Sequence, residues 1–129
     1  MKTIPVFYTI SDNYTPYASV SIQSLINHTD KNKDYTITLL VQDISPEHKK
    51  SLEDMSTDNI HINVFHIDDE RVRPIHNTKE NYLRAQFFTM SIFYRLFIPE
   101  LFPQYDKAVY LDADTIICAD IAELYDTEI

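Results

Sequence analysis

Glycine is absent from all 129 residues, tryptophan is absent too, and there is one cysteine. The missing glycine excludes most. A glycine-rich phosphate loop needs residues without a Cβ, so that backbone N–H groups can close on phosphate oxygens. Neither a Walker-type loop nor a dinucleotide fingerprint can be built here. Any diphosphate this chain binds must have its charge neutralised in another way. A lone cysteine excludes an internal disulfide, and Cys118 reads as a small buried apolar residue, not a nucleophile. Long apolar runs are also missing. Residues 4–10 form an apolar stretch near the N-terminus, too short and too soon interrupted for a signal peptide or membrane span. Basic residues are few, 11 against 20 acids, for a net charge of −9. That balance argues against nucleic acid or anionic membrane as the main partner. A cytoplasmic protein with no transmembrane segment is the expectation.

What is present centres on Val109-Tyr110-Leu111-Asp112-Ala113-Asp114-Thr115-Ile116-Ile117. Two carboxylates, one residue apart, stand between two apolar runs. Burying charge is costly unless a partner compensates it, so acids in this setting need a reason. Asp114 lies either on the same strand side as Asp112, by the period of two, or on the following turn. In both cases two oxygen ligands can meet one hard divalent cation, Mg²⁺ or Mn²⁺. The plain alternative is a pair of capping aspartates at a strand end. The five histidines show no metal-ligand spacing.

The rest of the chain supplies a frame for this pair. Residues 4–10 read as a strand with Pro5 at its edge, followed by the polar, turn-prone Ser11-Asp12-Asn13-Tyr14. A helix is expected from about Thr15, with Pro16 in its first turn and Ala18, Ile22, Leu25 and Ile26 on its apolar face. Residues 27–34 are a polar loop, in which an asparagine can take the left-handed position glycine usually fills. Ile37, Leu39 and Val41 alternate in a second strand. Ser45-Pro46-Glu47 starts a helix with His48, Leu52 and Met55 inward. Ile60, Ile62 and Val64 mark a third strand. Residues 68–81 read as a loop, and 87–97 as a buried helix that Arg95 interrupts and Pro99 ends. Residues 107–111 form a continuously apolar strand, as in a central parallel position, and 120–124 begin a further helical turn. Strands alternating with helices imply a three-layer α/β fold with a mainly parallel sheet. In such sheets ligands sit beyond the carboxyl ends of the strands. Residues 11–14 and 112–115 share one crevice there if their strands are neighbours.

Phe93-Tyr94-Arg95-Leu96-Phe97-Ile98-Pro99-Glu100-Leu101, followed by Asp106-Lys107-Ala108 and the acid-pair strand, resembles family 8 glycosyltransferases. That family includes bacterial lipopolysaccharide galactosyl- and glucosyltransferases and glycogenin. The opening Phe7-Tyr8-Thr9-Ile10-Ser11-Asp12-Asn13-Tyr14 and the later Ser21-Ile22-Gln23-Ser24-Leu25 fit as well. The resemblance implies a GT-A fold, Rossmann-like and incomplete at the C-terminus. It implies a UDP-glucose or UDP-galactose donor, and a sugar acceptor such as a saccharide, lipopolysaccharide or glycoprotein glycan. It implies transfer with retention of configuration, at the cytoplasmic face of a membrane for the lipopolysaccharide enzymes. Asp112 and Asp114 would hold Mn²⁺ against the donor's phosphates. Thr9, Ser11, Asn13 and Tyr14 would hold uracil and ribose, and Arg95 would reach the donor sugar or the acids. Ser11 stands where several bacterial members carry aspartate.

The resemblance covers nearly all of this chain but about the first half of the family's domain. A further metal-binding histidine, the acceptor site and the groups near the anomeric carbon would lie beyond it. No catalytic residue is identifiable within residues 1–129. They are expected to bind donor without transferring sugar, and to self-associate through an uncovered C-terminal side. Two other readings are a non-catalytic UDP-sugar-binding module and a Mg²⁺-dependent phosphohydrolase of the haloacid dehalogenase type. Against the latter, its signature places Thr or Val where this chain has Ile116, and its acids usually follow an early strand.

Overall fold

The computed structural model describes residues 3–67 and 95–128. The sequence readings at 68–81 and 87–94 lie outside them. Four strands, β1 (Thr3–Ile10), β2 (Asp34–Val41), β3 (Ile60–His66) and β4 (Val109–Tyr110), form one sheet in the order β3-β2-β1-β4. Every pairing is parallel. The helices among the described residues are α1 (Thr15–Ile26), α2 (Pro46–Glu53), α3 (Ile98–Leu101) and α4 (Ile121–Tyr125).

Strand alternation builds the layers. Ile4, Val6, Tyr8 and Ile10 of β1 join Tyr35, Ile37, Leu39 and Val41 of β2 in a core with Ala18, Ile22 and Leu25 of α1 and Leu52 of α2. Phe7 and Leu40 point the other way and pack with Ile67, Phe102, Tyr105 and Tyr110. The sheet thus has apolar side chains packed on both faces, as a parallel sheet requires. Pro5 lies inside central β1, not at its end. It shares Phe7's side of the strand, toward β4, and β4 pairs with β1 only from Val6 onward. Its missing N–H therefore costs no ladder bond there.

Several expectations need correction. β4 spans two residues, not five, and pairs among the described residues with β1 alone. Lys107 is drawn off to the Thr127 carbonyl at 2.8 Å and sits over the Tyr125 ring. The ladder still continues, since Leu111 N–H donates to the Phe7 carbonyl at 2.9 Å. Pro99 does not end a helix. It occupies the first turn of α3, where a proline's missing N–H needs no partner. No described residue has positive φ, and Asn27 closes α1 at φ −64°. A chain without glycine has built these turns without left-handed residues. Cys118 is exposed, because the buried neighbour in this extended segment is Ile117. At the amino end of the sheet, Asp120 caps α4 through Ala122 N–H and binds the Tyr35 hydroxyl at 2.7 Å and Lys33 at 3.3 Å. That network fixes α4 far from the crevice.

Candidate functional site

β1 ends at Ile10 and the chain turns at once. Ser11 is extended, Asp12–Tyr14 make one 3-10 turn, and α1 follows directly at Thr15. Tyr14 N–H donates to the Ser11 carbonyl at 3.0 Å, closing the turn. Thr9 is half-buried, and its hydroxyl has no hydrogen-bond partner among the described residues. Such an orphan is costly unless a ligand or water satisfies it. Asn13 and Tyr14 are exposed. The Tyr14 ring lies 5.6 Å from that of Tyr17, a tilted pair open to solvent.

Asp12 ties this turn to the next strand's end. Its Oδ1 accepts from Ser45 N–H at 2.9 Å and contacts His48 Nδ1 at 2.7 Å. Ser45 is the N-cap of α2, so the carboxylate also lies at the positive end of that helix. The Ser45 N–H, and after it His48, hold the Asp12 carboxyl below the usual carboxylate range. Sequence reading placed His48 on the inner face of α2; this carboxylate holds its ring half-exposed at the crevice instead. Met55 falls beyond the end of α2.

The acid pair stands on the turn after β4. Thr115 N–H and Oγ1 both return to the Asp112 carbonyl, at 3.3 and 2.7 Å. Ala113 is buried between two exposed aspartates. Of the two geometries left open by the sequence, Asp114 on the turn is the one observed. Neither carboxylate has a hydrogen-bond or ion-pair partner among the described residues. Two free, hard oxygen donors projecting from one turn suit a divalent cation of the Mg²⁺ or Mn²⁺ kind. No group of three or more His, Cys, Asp or Glu side chains gathers among those residues, so a cation held by this pair would need further ligands from phosphate, water or other residues.

β1 and β4 are neighbours and parallel, so Thr9–Tyr14 and Asp112–Asp114 meet at one end of the sheet. A groove of about 250 Å³ runs between Pro16, Tyr17 and Val20 of α1 and residues 113–116, with Asp114 on its wall. Arg95 is exposed in the 3-10 turn Arg95–Phe97 that precedes α3. Among the described residues it makes no ion pair with either acid. Sequence reasoning missed Asp12, Ser45 and His48 as a unit. The readable signal was the N-cap at Ser45, since a helix start attracts a carboxylate from a neighbouring loop.

The clamp gives a prediction. A carboxyl whose pKa is lowered on folding stabilises the fold above its unfolded pKa, and that contribution is lost as pH falls through the folded value. Urea denaturation of the Asp12→Asn variant should show a shallower loss of stability than the unsubstituted chain across the acid side of the carboxylate range. Parallel curves would mean that Asp12 has the same partners folded and unfolded.

A family model described as glycosyl transferase family 8 matches residues 5–129. General stress protein A of Bacillus subtilis (strain 168) is 25% identical over 120 residues, which is 92% of this chain and 40% of that protein. The apo structure of the bifunctional glycosyltransferase WbbM is similar at a TM-score of 0.80 and 34% identity, over 98% of this chain and 21% of that one. Galactosyltransferase LgtC, solved with donor and acceptor sugar analogues, is similar in fold at a TM-score of 0.70 and 19% identity, over 97% of this chain and 43% of that one. The chain thus spans less than half the length of each of these proteins.

Proposed function

We propose a donor-binding role that proceeds from one established point: the chain belongs to glycosyl transferase family 8. These residues form the nucleotide-sugar-binding part of a hexosyltransferase that takes its sugar from a UDP donor, UDP-glucose or UDP-galactose, and delivers it to a sugar acceptor with retention of configuration. The observation that carries the reading is the pair of unpartnered carboxylates, Asp112 and Asp114, at the same end of the sheet as the Ser11–Tyr14 turn. Asp112 and Asp114 would hold Mn²⁺ or Mg²⁺. When bound, the cation supplies Lewis-acid stabilisation of charge on the diphosphate leaving group. The chain's own residues do the rest of the binding. The Thr9 hydroxyl offers an unused hydrogen bond at the strand end. Ser11 and Asn13 present polar groups to base and ribose, and the open face of Tyr14 offers a stacking surface for the base. Arg95 is assigned to the donor sugar. Among the described residues no helix is long and apolar enough to cross a membrane, and a place at the cytoplasmic face is part of this proposal.

Calorimetric titration with UDP, ADP and GDP in Mn²⁺ tests the nucleotide assignment. UDP should bind at least tenfold more tightly than the purine diphosphates, and UDP-glucose or UDP-galactose should compete with it. Equal affinity for all three, or steady hydrolysis of a phosphate monoester, would remove the basis for this reading.

A further inference from the structure

One helix touches both halves of the crevice. α1 starts where the Asp12–Tyr14 turn ends, and two of its serines, one turn apart, reach the segment carrying the acids. Ile117 N–H donates to Ser24 Oγ at 2.8 Å, while Ser24 Oγ donates to the Ser21 carbonyl at 2.6 Å. The second link is a chain of hydroxyls, each able to donate once and to accept. Thr115 Oγ1 gives its proton to the Asp112 carbonyl at 2.7 Å. In its long 3.4 Å contact with Ser21 Oγ, Thr115 can then only accept. Ser21 Oγ also lies 2.7 Å from the Tyr8 hydroxyl, a pair in which either oxygen can donate. These contacts join Tyr8, Ser21 and Thr115 to the backbone of Asp112.

Tyr8 and Ser21 are both fully buried. Deleting a hydroxyl here leaves its neighbour without a partner. Burial pushes the Tyr8 phenol up to about 12, so it keeps its proton across the neutral range. Ser21 and Ser24 lie on the helix face that meets the acid turn, and the same helix is continuous with the Ser11–Tyr14 turn at its other end. An apolar helix face would pack against residues 113–117 without fixing the rotation of that backbone. Two hydrogen-bonded links, at Asp112–Thr115 and at Ile117, do fix it.

We propose that Ser21, Ser24 and Thr115 are positioning residues that set the Asp112 and Asp114 carboxylates relative to the nucleotide-binding turn, with α1 as the strut between them. The inference rests on the donor-binding reading above. It assigns to α1 the coupling between cation and nucleotide, which is a free energy shared by two ligands.

The test compares UDP affinity in Mn²⁺ and in chelator for the unsubstituted chain and for Ser24→Ala, Thr115→Val and Thr115→Ser. Thr115→Val keeps the shape and removes the hydroxyl, whereas Thr115→Ser keeps the hydroxyl. Ser24→Ala and Thr115→Val should each reduce the Mn²⁺-dependent gain in affinity threefold or more and leave binding in chelator unchanged. Thr115→Ser should retain the gain. Two results would overturn the inference: a full gain in Ser24→Ala and Thr115→Val, or an equal loss with and without Mn²⁺, which marks a merely structural role. A gain missing from the unsubstituted chain itself would overturn the donor-binding reading, and this inference with it.

Discussion

Asp114→Asn should lower Mn²⁺-dependent UDP affinity at least tenfold, ~1.4 kcal/mol, and Asp112→Asn by a similar factor. The chain has no glycine-rich loop to close on a diphosphate, and its net charge of −9 opposes an anionic ligand. A cation between the acids and the phosphates reverses the local sign. An amide keeps the shape of the carboxylate but loses its charge, and a hard divalent cation prefers charged oxygen. Both acids are exposed and unpartnered among the described residues. Replacing them therefore leaves no buried group unpaired, and stability should change by less than about 0.5 kcal/mol. The effect belongs to binding. A fall in affinity that tracks a fall in stability would contradict it.

Phe7→Ala should destabilise the fold by about 3–5 kcal/mol. Phe7 is fully buried on the opposite sheet face from Tyr8, with its ring 4.9 Å from Phe102 and 6.2 Å from Tyr105. Its carbonyl accepts from Leu111 N–H, the last ladder bond before the acid turn. Truncating the side chain removes its transfer energy and leaves a cavity between β1 and the 97–105 segment. A loss of this size takes a large part of a typical domain's stability. Leu96→Ala is the contrast, because Leu96 is 63% exposed, and it should shift stability by less than about 0.5 kcal/mol. Urea denaturation measures both. A cost below about 1 kcal/mol for Phe7→Ala would show that the second core cluster contributes little.

Strand periodicity made most of the fold legible. Even positions of β1 and odd positions of β2 share one core, and their alternates share the other. The helix start at Ser45 is a local signal, and its side chain does cap α2. β4 was harder. Its apolar run reads as a full central strand, but β1 runs past it at both ends, and the Lys107–Thr127 contact and the Asp112–Thr115 turn that bound it are encoded by no local pattern. The acid pair stood out as carboxylates between apolar runs, but the burial cost behind that reading does not apply, because both side chains are exposed. The clamps were not legible. Asp12 to His48 spans 36 residues, and Ser21 to Thr115 spans 94. Hydroxyls at such separations carry no pattern until the sheet brings their strand ends together.

The central claim is that the Asp112–Asp114 turn binds a nucleotide diphosphate through a divalent cation. Titrating the chain with UDP in Mn²⁺ and again in excess chelator addresses it most directly. The account predicts a loss of at least tenfold in affinity on chelation, absent from the Asp112→Ala variant because its binding in Mn²⁺ is already weak. Equal affinity in both conditions for the unsubstituted chain would contradict it.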